Sequence, residues 1–293
     1  MTRTNHRMIV ALVLLALGFA AAQPAHAVLF ARDGFETYSV GANLDGQNDG
    51  TGWMTAWDAG DTAAENDTTV QLKTMNDPNG LSFGGTKAAR ILPSPSNVGN
   101  DNDLVQRRPL DSITGPLYVG MLLRPESFEN DDFLQFQVSN GAEGDNANTL
   151  SWGIRNTTNN PFFARVGVAA NSTNSSTAFA TDDTDFLVVA KISKDANVNY
   201  NRVDLYVNPT SYNESEQTPV ATRLGPATAI SVLSLFNVRI NNFDTDDRVF
   251  FDNLILSDNF AVAAGFIPEP GTALLAAMGL GSLIAGLRRR RPM

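Results

Sequence analysis

The chain has 293 residues with 21 basic and 31 acidic side chains, a formal net charge of −10 that excludes a nucleic-acid-binding role by repelling phosphate. It contains no cysteine, and its two histidines, His6 and His26, both lie within the first 27 residues. Everything beyond them lacks thiolates, disulfides, imidazole metal ligands and Ser-His-Asp chemistry, so catalysis there would need carboxylates, lysine, tyrosine or a hard metal.

Arg3 and Arg7 precede an uninterrupted run of 15 apolar and small residues, Met8 to Ala22, and Ala25-His26-Ala27 follows Pro24. A positive start, a short greasy stretch and an A-x-A end form the pattern of a secretory signal peptide. The run falls short of the ~20 residues a spanning helix needs. Signal peptidase is expected to cut after Ala27, leaving a mature chain that starts at Val28 outside the cytoplasm. Residues 1–27 are thus one segment, 28–266 a domain and 267–293 a C-terminal segment.

The two terminal segments hold six basic and one acidic residue, so the domain carries 15 basic and 30 acidic side chains. Its length suits one packed unit, as all-β sandwiches often are. Helical periodicity is scarce. Strands are expected at Val70–Met75, Lys87–Leu92, Leu117–Leu123, Phe133–Val138, Leu150–Arg155, Phe162–Val168, Asp185–Ile192, Asn201–Val207, Phe236–Ile240 and Arg248–Leu256. Val203, Leu205 and Val207 alternate as a half-buried strand should, and Asn208-Pro209 ends that strand. The segments 140–149, 156–160 and 169–177 are rich in Asn, Asp, Gly, Ser and Thr and read as connections. Short strands between such turns predict an all-β, antiparallel sandwich or barrel.

At the C-terminus, Pro268-Glu269-Pro270 is followed by 16 uncharged residues, 272–287, and then by Arg288, Arg289, Arg290 and Arg291. A helix over 272–287 spans about 24 Å, short of the ~30 Å hydrocarbon core of a bilayer. The arginines belong on the cytoplasmic side and the Pro-Glu-Pro end outside. This three-part order resembles the PEP-CTERM sorting signal of exported proteins from Gram-negative, exopolysaccharide-producing bacteria. The resemblance implies recognition by exosortase, a membrane transpeptidase-like protease, and a cut at or near residues 268–270. It also implies transient anchoring in the inner membrane with the domain in the periplasm, then delivery to the cell surface or extracellular matrix.

A second resemblance lies in the domain itself. DGFETYSVGANLDGQNDGTGWMTAWD (33–58), VDLYVNP (203–209) and VFFDNLILSD (249–258) look like stretches of exported laminin-G-like, concanavalin A-like domains. They imply a jelly-roll β-sandwich whose first and last strands lie side by side. That fold supports lectins, glucanases and plain adhesion modules, so function rests on a site.

Laminarinase-like hydrolases of this fold use E-x-D-x-x-E on one strand, where a period of two aligns the carboxylates. Three E-x-D pairs occur here, Glu65/Asp67, Glu129/Asp131 and Glu143/Asp145, and none has the third carboxylate. Glu214 and Glu216 read as part of a solvated polar loop. Acidic clusters at Asp101/Asp103, Asp182/Asp183/Asp185 and Asp244/Asp246/Asp247 could supply oxygen ligands to Ca²⁺, although none has EF-hand spacing. Asp182, Asp183 and Asp185 are the calcium candidates, and no cofactor beyond one structural Ca²⁺ is expected. Trp53 and Trp57, which flank a loop, are the candidates for stacking on sugar rings; core packing is the alternative for both. The expectation is a non-enzymatic envelope or matrix component associating with exopolysaccharide. Its alternatives are a calcium-assisted lectin module and a glycan hydrolase with an unrecognised carboxylate pair.

Overall fold

The computed structural model describes residues 27–59, 68–82, 84–93, 103–129, 131–142, 146–155, 157–226 and 228–266. Outside them lie the expected signal run, Glu65, Asp67, Asp101, Glu143 and Asp145. So do the C-terminal segment with Pro268, Glu269, Pro270, the apolar run 272–287 and Arg288, Arg289, Arg290 and Arg291. Among the described residues no helix is long and apolar enough to cross a membrane.

Among the described residues fourteen strands form two antiparallel sheets. They are β1 (Leu29–Asp33), β2 (Thr69–Leu72), β3 (Lys87–Ile91), β4 (Asp103–Ile113), β5 (Leu117–Glu126), β6 (Phe133–Ser139) and β7 (Thr149–Ile154), followed by β8 (Pro161–Val166), β9 (Ser172–Phe179), β10 (Phe186–Ser193), β11 (Arg202–Val207), β12 (Ala221–Leu224), β13 (Leu233–Asn241) and β14 (Arg248–Ser257). The eight-stranded sheet runs β12-β11-β10-β5-β14-β3-β2, with β1 also paired to β14. The six-stranded sheet runs β4-β13-β6-β7-β8-β9. First and last strands lie side by side, Ala31 opposite Leu256 and Asp33 opposite Leu254. This is the jelly-roll sandwich that the sequence predicts.

The core fills the space between the sheets. On β6, Leu134, Phe136 and Val138 point inward, and on β7 Leu150, Trp152 and Ile154 do the same. Phe136 packs on Phe236 and Phe251, with ring centroids 6.3 and 6.0 Å apart, which joins the two sheets. Strand β10 is apolar on both faces for a different reason. Val188 and Ala190 enter the main core, while Leu187 and Val189 meet Phe260 of a one-turn helix, α1 (Phe260–Ala263), on the outer side. Asn259 caps α1 by accepting from the Ala261 amide at 2.9 Å. The helix seats closely because β5 offers Gly120 beneath it: a methyl there would collide with the Ala263 carbonyl oxygen.

Four strands differ from expectation. Residues 172–177, in a stretch read as a connection, enter β9; β4 and β12 lie outside the expected strands, and so does β1, which ends at Asp33 where the laminin-G-like stretch begins. β4, β9 and β12 each lie at an edge of their sheet, where one side of the ladder is open and polar residues or proline are tolerated.

Candidate functional site

The acidic loop after β1 closes on one buried ion pair. Asp33, at the end of β1, and Arg108, inward-facing on β4, are each 1 % exposed and meet at 2.6 Å. Asp33 Oδ2 also accepts from the Tyr38 hydroxyl at 2.7 Å and Trp57 Nε1 at 3.0 Å. Burial raises the Asp33 carboxyl above its ordinary value, and these donors and Arg108 oppose it. The Arg108 guanidinium lies 4.8 Å from the Trp53 ring and 5.2 Å from the Trp57 ring. Trp57 is 1 % exposed, with both its ring and its N–H engaged. The expectation that it offers a stacking face to sugar is therefore corrected: its indole is core. Trp53 is half-buried, and its Nε1 donates to the Arg32 carbonyl at 3.1 Å. The constellation pins the 33–58 segment to the sandwich.

The calcium candidates are otherwise engaged. Asp183 and Asp185 bind Arg124 at 3.0 and 3.1 Å, and Asp185 and Asp182 accept the backbone amides of Asn76 and Phe128. Among the described residues no group of three or more acidic side chains is placed to hold a metal ion. Glu214 is not in free solution. Its carboxylate takes the Tyr118 and Tyr206 hydroxyls at 2.7 and 2.9 Å and Lys191 Nζ at 2.7 Å, docking its loop beside α1. Lys191 and the two hydroxyls hold the Glu214 carboxyl below its ordinary value despite burial, and burial first, then Glu214, pushes both tyrosines far up. Neither tyrosine is poised as a base.

A carboxyl pair emerges where the sequence showed only one acidic cluster. The β5–β6 connection reads Ser127-Phe-Glu-Asn-Asp-Asp132, and the β13–β14 connection reads Asn242-Phe-Asp-Thr-Asp-Asp247. Both cross between the sheets. Because β5 pairs with β14 and β6 with β13, an approximate two-fold axis along the strands relates the two crossovers. Each opens on a residue with positive φ, 55° at Ser127 and 60° at Asn242. Phe128 and Phe243 pack edge to face at 5.5 Å. Each closing aspartate accepts the amide of the residue three before it, Glu129 or Asp244. Asp132 and Asp247 are both 1 % exposed and hydrogen-bond each other. Burial, and then the Asp247 carboxyl, push Asp132 up to about 8, and burial raises Asp247 as well. The pair therefore shares a proton near neutrality.

The outer side of the six-stranded sheet carries the most ligand-like pattern. Lateral pairing aligns one polar residue from each strand: Arg107, Asn237, Gln137, Ser151, Arg165 and Ser172. The neighbouring row is Arg239, Gln135, Gly153, Phe163 and Asn174. Arg239 donates to Gln135 at 3.1 Å, Gln135 to Ser151 at 2.7 Å, and Arg165 to Ser172 at 2.7 Å. Phe133 and Phe163 stack at 5.5 Å, with the Arg165 guanidinium 5.3 and 5.0 Å from their centroids. Asp58 neutralises Arg107 at one end, and neither row holds a carboxylate. The side chains are buried, Arg165 to 3 % and Arg239 to 6 % exposure. Chemically the rows are amide, hydroxyl, guanidinium and aromatic face. They provide no acid–base pair for hydrolysis.

No curated protein matches the chain. Among solved structures, an endo-β-1,4-glucuronan lyase from the fungus Trichoderma reesei is 15 % identical, covers 76 % of this chain and 97 % of its own, and has a TM-score of 0.43. The globular domain of T. cruzi calreticulin is 9 % identical over 71 % of this chain and 86 % of its own, with a TM-score of 0.41. The carbohydrate recognition domain of Emp46p, in its potassium-bound form, is 10 % identical over 55 % and 80 %, with a TM-score of 0.38. Immediately after the sandwich, residues 266–291 match the PEP-CTERM protein-sorting motif.

Proposed function

We propose that this chain is an exported, non-enzymatic cargo of exosortase that associates with an acidic exopolysaccharide through the outer rows of its six-stranded sheet. Export rests on the sorting motif, which begins three residues after α1 ends. Signal peptidase removes residues 1–27, the apolar run 272–287 holds the chain transiently in the inner membrane, and exosortase acts near Pro268-Glu269-Pro270.

The observation that carries the ligand reading is one of charge. The domain has twice as many acidic as basic side chains, yet the two rows bring together Arg165 and Arg239, already bonded to Ser172 and Gln135, and Arg107, already paired with Asp58, and hold no carboxylate of their own. Guanidinium groups withdrawn from water, backed by aromatic faces, favour carboxylates, which they hold through paired hydrogen bonds.

The test is binding of residues 28–266 to acidic and to neutral polysaccharide from the native host, with and without a calcium chelator. Saturable binding of the acidic polymer, weakened at least tenfold by Arg239→Gln with the fold retained, supports the reading. Chelator sensitivity adds calcium to it. Equal binding of both polymers removes the acidic preference, and binding of neither removes the polysaccharide assignment and leaves a sorted structural cargo. The mass of the exported chain, compared with and without exosortase in the host, checks the sorting step separately.

A further inference from the structure

The residue that follows the expected signal-peptide cut is held by three hydrogen bonds just beyond the last β1–β14 pair. The Val28 amide donates to Asp258 Oδ1 at 2.7 Å. The Asp258 amide and the Ser257 hydroxyl donate to the Val28 carbonyl at 3.1 and 2.8 Å. Leu29 then pairs with Ser257 in the ladder.

In the full chain Val28 N is an uncharged amide with one proton. Cleavage of the Ala27–Val28 peptide bond by water leaves a carboxylate on Ala27 and an amine on Val28. That amine takes up a proton below its ordinary pKa of ~7.7–8.0. The new ammonium already lies at hydrogen-bond distance from a carboxylate, and the backbone around it is fixed by the ladder.

We propose that Asp258 is a built-in receptor for the N-terminal ammonium of the mature chain, so that signal-peptide removal converts a neutral hydrogen bond into an ion pair. The proposal rests on the cut after Ala27 in the function set out above. The location gives the pair a purpose. Asp258 precedes Asn259, the cap of α1, and the same segment continues to Phe266, where the sorting motif begins. The first processing event thus adds a charge pair at the root of the element that leads to the second. Tyr118 feels the charge of Asp258, and its own hydroxyl is bonded to Glu214. Asp258 is the carboxylate in contact with Val28.

Amine titration tests this directly, by NMR, on the processed protein or on 28–266 made with a native Val28 start. Asp258→Asn keeps an acceptor oxygen and so keeps the fold. The expected result is a midpoint in the native protein at least half a unit above that of Asp258→Asn, a threefold or greater difference in proton affinity. A chain retaining Ala27 carries its ammonium one residue out, and its midpoint should not respond to Asp258→Asn. Equal midpoints in the native-start pair overturn the receptor. N-terminal sequencing of the exported protein distinguishes the other failure. A start other than Val28 overturns the processing step, whatever the titration shows.

Discussion

The paired crossovers make a quantitative prediction about pH. Asp132 and Asp247 each ionise near 3.8 in ordinary surroundings, whereas in the fold Asp132 does so at about 8. A raised carboxyl lets the folded state keep a proton that the unfolded chain has lost. The contribution is intact below the unfolded value and is lost as pH rises through the folded one. One full proton corresponds to about 1.4 kcal/mol per pH unit. The two carboxyls share the proton and do not contribute independently, so roughly 2 kcal/mol should be lost between pH 5 and pH 8. Asp247→Asn keeps the oxygen that accepts the Asp244 amide, removes the second charge and offers Asp132 an N–H donor. Thermal unfolding of the domain, followed by circular dichroism from pH 5 to pH 9, should show the variant close to wild type at pH 5. At pH 8.5 it should be more stable, by roughly 4–8 °C for a domain of this size. Asp33 and Asp252, the latter pushed up to about 7 by burial, tilt both profiles alike and cancel in the comparison. Parallel profiles for the two proteins would refute the shared proton.

Two further substitutions probe the interior. Arg108→Met leaves Asp33 buried among its remaining donors without a counter-charge and should cost about 3–5 kcal/mol in urea unfolding. A loss under 1 kcal/mol would mean that Tyr38 and Trp57 suffice to hold the carboxylate. Gln106 lies opposite Val238, wholly buried, and both amide atoms lack a partner. Gln106→Met should therefore stabilise the domain by about 1 kcal/mol, and a comparable loss would reveal a partner such as an internal water.

The interior strands were legible because they announce themselves in two ways. β6, β7 and β13 alternate, since one face meets the core and the other the polar rows. β10 is continuously apolar because α1 covers its second face. β9, by contrast, reads Ser-Thr-Asn-Ser-Ser-Thr-Ala-Phe and buries only Ser175, so nothing in it distinguishes strand from loop. β4 hides a core residue behind a charge: Arg108 points inward only because Asp33, 75 positions earlier in the chain, waits for it. The tryptophans split for the same long-range reason, Trp57 claimed by Asp33 and Trp53 left half-exposed. The carboxyl pair has a sequence signal, the repeated Phe-acid-x-Asp-Asp at 128–132 and 243–247. Taken singly, Glu129/Asp131 reads as an E-x-D pair and Asp244/Asp246/Asp247 as an acidic cluster, and the two stretches become neighbours only through the β5–β14 and β6–β13 pairings.

The chain's point of departure from the fold sets a posture. Phe266 rests against Tyr212, with ring centroids 5.3 Å apart, on the side of the eight-stranded sheet that α1 covers. The apolar run begins at Thr272, so five residues intervene, and the six steps at ~3.6 Å each reach no farther than about 22 Å. While that run is held in a bilayer, the domain is moored on a leash shorter than its own width. On the proposed sorting route the α1 side then faces the bilayer and the six-stranded sheet faces away from it. On that route, a cut near Pro268-Glu269-Pro270 would release this posture as well as the chain.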